Sequence, residues 1–378
     1  MSSENIIRID GHDYSFEPGE TVLQVARRNG IDIPTLCYLK GATPSGACRI
    51  CLVEIEGART LMTSCTVPAA SKMVVKTESQ RIIEARRLNI ELLISSGNHN
   101  CLVQGLDIDS WTDFQLNVMN PDEHKDLCPA YGDCRLQELA IRYQVKINRF
   151  PPSESTHTLE NVNPFIVRDL SRCILCGRCV QACNDIQVNR AISFGYRGSE
   201  SKIVTKGDRA LKDSDCVFCG ECVQVCPVGA LITKEELRSS RVDPNVKKVR
   251  TTCSYCGVGC QVYLHTKENR VIKVTGVEDV GPNYGSLCVK GRFGYNFIND
   301  PERLKSPLIK ENGHFKEATW DEALDLVAER LTNIKEETGP DSIGVLCSAR
   351  ITNEENYLAQ KFARAALKTN NIDHCARL

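Results

Sequence analysis

Cysteine is the residue whose number and spacing carry chemistry in this chain. Of its 21 cysteines, 19 fall into groups with the intervals of iron–sulfur ligands. The clearest are Cys173-x2-Cys176-x2-Cys179-x3-Cys183 and Cys216-x2-Cys219-x2-Cys222-x3-Cys226, the second followed by Pro227. Two such runs mark a pair of 4Fe–4S clusters in which the fourth cysteine of each run serves the other cluster. Cluster one then takes Cys173, Cys176, Cys179 and Cys226, and cluster two takes Cys216, Cys219, Cys222 and Cys183. Asn184 stands where proline is common after the first run.

The other groups are spaced differently. Cys37, Cys48, Cys51 and Cys65 read C-x10-C-x2-C-x13-C, and Gly41, Gly46 and Ala47 keep the first gap small enough for amides to approach sulfur. Four thiolates on a long loop and a return strand suit a 2Fe–2S centre. A zinc site is the rival, although zinc knuckles generally pair two C-x2-C units. Further on stand His99 and Cys101, then Cys128-x5-Cys134. Cys253-x2-Cys256-x3-Cys260 with Cys288 27 residues later has an x3 gap, holding Gly257 and Gly259, that is not ferredoxin spacing.

A chain of 378 residues is long enough for two or three domains. Its net charge of −1 gives no reason to expect nucleic acid or an anionic membrane surface as partner. The N-terminus lacks the basic-then-apolar pattern of a secretory signal, and no apolar run reaches the roughly 18 residues a membrane span needs. The expectation is a cytoplasmic chain without membrane insertion, in a reducing compartment where cysteines are metal ligands before they are disulfides.

The elements that position these residues are legible in part. Residues 6–10 and 14–17 alternate as a hairpin turned at Gly11, and residues 20–29 have helical spacing, stopped by Gly30. Residues 81–94 predict a helix with Ile83, Leu88 and Leu92 on its apolar stripe. Pro151 and Pro152 mark a linker. Residues 320–338 predict an amphipathic helix carrying Ala323, Leu324, Val327, Leu331 and Ile334, with Asp321 and Glu322 in its first turn and Gly339 at its end. Residues 342–347 read as a buried parallel strand and 353–369 as another helix, the start of a nucleotide-type α/β domain. Cys347 and Cys375 are left over and read as small apolar residues.

The first group resembles the N-terminal β-grasp ferredoxin domain of the large iron–sulfur subunit of NADH dehydrogenase, of iron-only hydrogenases and of formate dehydrogenases. In those families a 4Fe–4S domain with one histidine and three cysteine ligands follows, its histidine just before C-x2-C-x5-C-x-L-Q. Here Gln104 occupies the second cysteine position, so residues 104–127 read as an insertion. The resemblance then implies His99, Cys101, Cys128 and Cys134 as ligands. His124 is a rival, but its register would need cysteines at Tyr131 and Gln137. The Cys253 group resembles the N-terminal 4Fe–4S domain of molybdopterin oxidoreductases, supported by Cys288-Val-Lys290-Gly-Arg-Phe and Ala318-Thr-Trp320-Asp-Glu-Ala-Leu. The family places a lysine at the position of Lys290 between cluster and pterin as an electron relay.

Together the motifs resemble the N-terminal part of a cytoplasmic multi-cluster formate dehydrogenase. The implied fold is multi-domain, α+β and α/β. A β-grasp 2Fe–2S domain (1–80) is followed by a histidine-ligated 4Fe–4S domain (81–150) and a two-cluster ferredoxin domain (151–245). A molybdopterin oxidoreductase 4Fe–4S domain (246–305) and the start of the pterin-binding domain (306–378) complete it. The implied cofactors are one 2Fe–2S cluster, four 4Fe–4S clusters and a bis-molybdopterin guanine dinucleotide with molybdenum or tungsten. The implied partners are a flavin- and NAD(P)-binding iron–sulfur subunit or ferredoxin, a hydrogenase, or the rest of a catalytic subunit. The ending, Asn370 to Leu378, resembles the stretch directly before the selenocysteine or cysteine metal ligand. The expectation is that the chain stops at a UGA codon and is inactive alone. An electron-transfer subunit that is naturally this short, an iron-only hydrogenase relative and another molybdopterin enzyme such as a nitrate reductase are the alternatives.

Overall fold

In the computed structural model, residues 5–97, 99, 110–117, 128–146, 149–151, 157, 159–237 and 242–374 are described. Strands β1 (Ile6–Ile9) and β2 (His12–Ser15) pair antiparallel across Asp10 and Gly11, whose φ angles of 49° and 86° make the left-handed turn that matches strand twist. Helix α1 (Val22–Arg28) begins at Thr21. The Thr21 hydroxyl accepts from the Gln24 amide, and the Gln24 side chain accepts from the Thr21 amide, so both ends of the first turn are satisfied. Strands β3 (Leu52–Ile55), β4 (Met62–Thr63) and β5 (Val74–Lys76) complete a sheet ordered β2-β1-β5-β3-β4, with β5 parallel to β1. Ile7, Ile9, Val22, Val25, Val53 and Val75 pack between sheet and helix, together with Cys51 and Cys65. A mixed sheet closed over one helix is the β-grasp arrangement.

Helix α2 (Gln80–Ser95) starts at Ser79, whose hydroxyl accepts from the Ile82 amide. Its inward face is not the expected one. Ile82, Arg86, Ile90 and Ile94 are buried, whereas Leu88 and Leu92 are 38% and 43% exposed. The cause is Arg86, fully buried at the centre of that face. Its guanidinium donates to the carbonyls of Ile50 (3.0 Å), Leu52 (2.8 Å) and Thr77 (3.1 Å) and to the Tyr143 hydroxyl (2.8 Å), and pairs with Glu78 at 2.7 Å. A stripe drawn from apolar residues alone omits the arginine that defines the face.

Helices α3 (Trp111–Asn117) and α4 (Arg135–Arg142) follow. Within the segment read as an insertion, Phe114 is 2% exposed, stacks on Trp111 and meets the Tyr131 ring at a tilt. Then come β6 (Leu159–Glu160), β7 (Ile166–Asp169), α5 (Arg178–Gln181), β8 (Ile192–Gly195), β9 (Lys202–Thr205), α6 (Glu221–Val225) and β10 (Leu231–Thr233). Strands β10, β7 and β6 form one antiparallel sheet, and β8 and β9 form a hairpin. Residues 1–244 make one compact unit. One apolar core within it contains Leu36, Ile90, Leu136, Leu139 and Val228 along with cysteines from three of the sequence groups.

Residues 245–378 make a second unit. It opens with the antiparallel sheet of β11 (Lys247–Thr252), β12 (Gln261–Lys267) and β13 (Arg270–Gly276), followed by α7 (Val289–Phe293). A hairpin of β14 (Leu308–Glu311) and β15 (His314–Glu317) leads to α8 (Trp320–Thr338), capped by Thr319 and Glu322. Strand β16 (Val345–Cys347), helix α9 (Asn353–Lys361) and β17 (Ile372–His374) form a parallel β-α-β unit. The helix expected to Thr369 turns π-helical from Phe362 to Leu367. The strand at 345–347 is parallel, but its Leu346 is 92% exposed, and Leu324 and Val327 of α8 are exposed as well. Among the described residues, no helix is long and apolar enough to cross a membrane.

Candidate iron–sulfur sites

The two ferredoxin-like runs follow one backbone path twice. The Leu175 amide donates to Cys173 Sγ and the Phe218 amide to Cys216 Sγ, both at 3.4 Å. Leu175 and Phe218 adopt φ of 52° and 54°, and Gly177 and Gly220 adopt 79° and 73° immediately before α5 and α6. Left-handed backbone at a non-glycine residue is costly, so its appearance at matched positions marks a shape imposed for a purpose. Cys173, Cys176, Cys179 and Cys226 line one cavity of about 30 Å³, and Cys222 reaches its wall. Burial pushes the Cys173 thiol up to about 11 and that of Cys176 to about 12, with Cys179 well above its ordinary value. Thiolates there need a cation beside them, which bound iron supplies. Cys216, raised to about 11 by burial, also feels Cys219 and Cys183, and Cys222 feels all three. Cys183 Sγ accepts from the Ala191 amide at 3.3 Å.

The first cysteine group resolves into pairs. Cys37 and Cys48 share a hydrogen bond, as do Cys51 and Cys65, and all four side chains are buried. The Cys48 thiol, then the Ser45 hydroxyl and the amides of Cys48 and Ala47, bring Cys37 down to about 5 against the pull of burial. The Cys65 thiol and amide and the Ser64 hydroxyl bring Cys51 to about 7. Cys48 and Cys65 are raised, because each donates to its partner. Two sulfur pairs fit a rhombic cluster in which each iron takes two thiolates. Sequence reading missed Ser45 and Ser64; a hydroxyl close to a ligand cysteine in a small-residue loop is the available signal.

His99, Cys128 and Cys134 line one pocket with Gln137, Arg172 and Gly229. His99 Nε2 is buried with no partner among the described residues, and burial, reinforced by Arg172, brings the imidazole down to about 4, so it is neutral with a lone pair to give. Cys101, Gln104 and His124 lie outside the described residues. Gly229 closes the pocket: a Cβ there would lie 3.1 Å from Ala130 Cβ and 3.2 Å from Cys128 Sγ. Gly229→Ala is therefore expected to displace Cys128 and destabilise the fold by about 1–3 kcal/mol. The measurement is iron content with low-temperature EPR. Selective loss of one four-iron signal is the expected result, and full iron with an unchanged spectrum would count against a cluster here.

In the second unit, the Cys253 amide donates to the Cys260 carbonyl at 2.8 Å, and the charges of Cys253, Cys256 and Cys288 all reach Cys260. Cys288 caps α7, on which Lys290 is exposed. The Tyr255 hydroxyl donates to the Gly294 carbonyl, fastening the first cysteine loop to the end of that helix. Asn353 Nδ2 donates to the Gly257 carbonyl at 2.8 Å, tying the same loop to the start of α9.

Four buried side-chain atoms that lack a partner among the described residues belong to residues at these sites: His99 Nε2, Arg168 Nη1, Arg178 Nε and Asn184 Oδ1. Orphaned polar atoms around sulfur-lined cavities fit an inorganic group that supplies acceptors and charge. Among the described residues, no three His, Cys, Asp or Glu side chains converge as they would on a single metal ion.

Fold and sites together define an iron–sulfur electron-transfer protein. Family models agree along the chain: a 2Fe-2S iron-sulfur cluster binding domain matches residues 4–80 and a 4Fe-4S dicluster domain 172–230. The molybdopterin oxidoreductase Fe4S4 domain matches 246–300, and molybdopterin oxidoreductase matches 303–378. The chain is 32% identical to "Putative formate dehydrogenase YrhE" of Bacillus subtilis, over 98% of this chain and 39% of the relative. It is 31% identical to "Probable oxidoreductase YjgC" of the same organism, over 100% of this chain and 40% of the relative. A chain in the crystal structure of an NAD+-reducing [NiFe]-hydrogenase in the H2-reduced state superposes with a TM-score of 0.51 at 30% identity, covering 62% of this chain and 88% of that one. The chain carries the domains of the iron–sulfur molybdopterin oxidoreductases, and the curated relatives it resembles include one named as a putative formate dehydrogenase. It spans about two fifths of the length of the curated relatives it matches.

Proposed function

We propose that this chain is the electron-transfer portion of a formate dehydrogenase, carrying electrons from the oxidation of formate to CO2 toward a flavin- and NAD(P)-binding partner or a ferredoxin. The carrying observation is the gathering of the cysteine groups into separate buried sites on a chain matched by 2Fe–2S, dicluster and molybdopterin families. Cys37, Cys48, Cys51 and Cys65 hold the 2Fe–2S cluster. His99, Cys101, Cys128 and Cys134 hold one 4Fe–4S cluster, and Cys253, Cys256, Cys260 and Cys288 another. The ferredoxin-like runs hold two more with crossed fourth ligands. A bis-molybdopterin guanine dinucleotide with molybdenum or tungsten supplies two-electron chemistry when bound. The chain's own residues divide that pair into single steps by holding the clusters apart at separate cysteine sites, with Lys290 beside the Cys288 ligand as a relay. The chain by itself is inactive toward formate.

The hydrogenase likeness favours a second reading, an iron–sulfur subunit that passes electrons between hydrogen and NAD(P). Both are tested on the complex that co-purifies anaerobically with this chain from its own cells. Formate is expected to bleach the iron–sulfur absorbance and reduce an acceptor. Bleaching by hydrogen and not by formate would replace the first reading with the second, and formate oxidation by the isolated 378-residue chain would refute its inactivity.

A further inference from the structure

Arg168 is a buried cation that the electron-carrying residues do not account for. It sits on β7 opposite Glu160 of β6 and is 6% exposed. Its Nε and Nη2 both donate to Glu160 Oε2, at 3.2 and 2.5 Å, and Glu160 Oε1 accepts from the Leu211 amide at 2.9 Å. That leaves Nη1, which is buried and without a partner among the described residues. Arg168 lines the cavity of Cys173, Cys176, Cys179 and Cys226, and is the only charged residue among those lining it. The rest of the lining is cysteine, aliphatic residues, glycine and proline, and the charge of Arg168 also reaches Cys216 of the second run and Asp208.

We propose that Arg168 tunes the reduction potential of the cluster held in this cavity, its Nη1 donating to a cluster sulfur. The inference rests on the reading that the cavity holds a 4Fe–4S cluster. Reduction adds one electron to a buried, already anionic group. A donor and a positive charge stabilise the reduced form more than the oxidised form, and so raise the potential. Glu160 works in the other direction by neutralising part of the guanidinium charge while fixing its orientation.

The test is an EPR-monitored redox titration of the full chain, with iron content measured on each sample. In Arg168→Met the reduced-to-oxidised ratio of one four-iron cluster at a fixed poise is expected to fall about tenfold, or about 59 mV. In Glu160→Gln, which keeps an oxygen for the Leu211 amide, the same cluster is expected to shift upward. An iron-replete Arg168→Met with every potential unmoved would overturn the proposal. So would a downward shift in both variants, the mark of mere structural support. If Arg168→Met fails to hold iron, Glu160→Gln decides: a rise supports the proposal and no change or a fall overturns it. Cys176→Ala separates this from the underlying reading. If that variant retains all the parental iron, the cavity holds no cluster and the proposal falls with it.

Discussion

Replacing Cys183 and Cys176 together by alanine is expected to remove about eight iron atoms per chain, whereas replacing Cys183 and Cys222 together removes about four. The reasoning is the crossing of the fourth ligands. Cys226 lines the cavity of Cys173, Cys176 and Cys179, while Cys183 is felt by Cys216 and Cys222; Cys222 also reaches that cavity and feels Cys226, so the two sets are neighbours. Cys183 and Cys222 then serve one cluster, and losing either empties it. Cys183 and Cys176 serve different clusters, and the losses add. If each run kept its own fourth cysteine, the two counts would be exchanged. Iron and protein assays on anaerobically purified double variants decide between the schemes without any measurement of activity.

Arg86→Met is expected to destabilise the first unit by about 3–5 kcal/mol, seen as a drop in the denaturant midpoint. The side chain is fully buried, and its removal leaves the carbonyls of Ile50, Leu52 and Thr77 without their donor. Methionine restores much of the volume, so the loss isolates hydrogen bonding and charge from packing. Ile50 precedes Cys51 and Leu52 follows it, so the 2Fe–2S site is expected to suffer first. Loss of the two-iron EPR signal at a denaturant concentration that spares the four-iron signals is the outcome that matches. A variant as stable as the parent would show that the carbonyls find other donors. The Glu78 contribution is small by comparison, because that carboxylate is 46% exposed and screened by solvent.

The cysteine groups were legible because their short fixed intervals survive without knowledge of the fold, and the structure gathers Cys173, Cys176, Cys179 and Cys226 at one cavity. The helix starts were placed from apolar spacing, at residue 20 rather than 22 for α1; the local pairs Thr21 with Gln24 and Thr319 with Glu322, acting over three residues, were available signals that the reading did not use. The buried face of α2 was not legible, since its centre is Arg86, and only partners 34 and 36 residues earlier in the chain, with Tyr143 57 residues later, explain a buried arginine. Arg168 escaped for the same reason. The apolar stripe of α8 was read as a stripe, yet Leu324 and Val327 lie exposed, because a periodicity says which residues seek cover and not whether the described chain supplies it. The pairing of sulfurs within the first group could not be read from spacing at all, because Cys37 and Cys48 are brought together by the fold of the loop between them.

The shared core of the first unit has a consequence for how such proteins diversify. Cys37 and Cys48, Cys128 and Cys134, and Cys173, Cys176 and Cys226 all contribute to one apolar interior with Val228 and Leu136. Segments that look in sequence like interchangeable cassettes therefore share one interior, to which the N-terminal segment adds a core of its own. A recombination event that swaps one of them must bring matching neighbours or leave a hole beside someone else's cluster. Transplanting the N-terminal ferredoxin-like segment alone into another enzyme is thus expected to yield an oxygen-sensitive, poorly folded graft. A cut at residue 244, where the compact unit ends, keeps that interior whole.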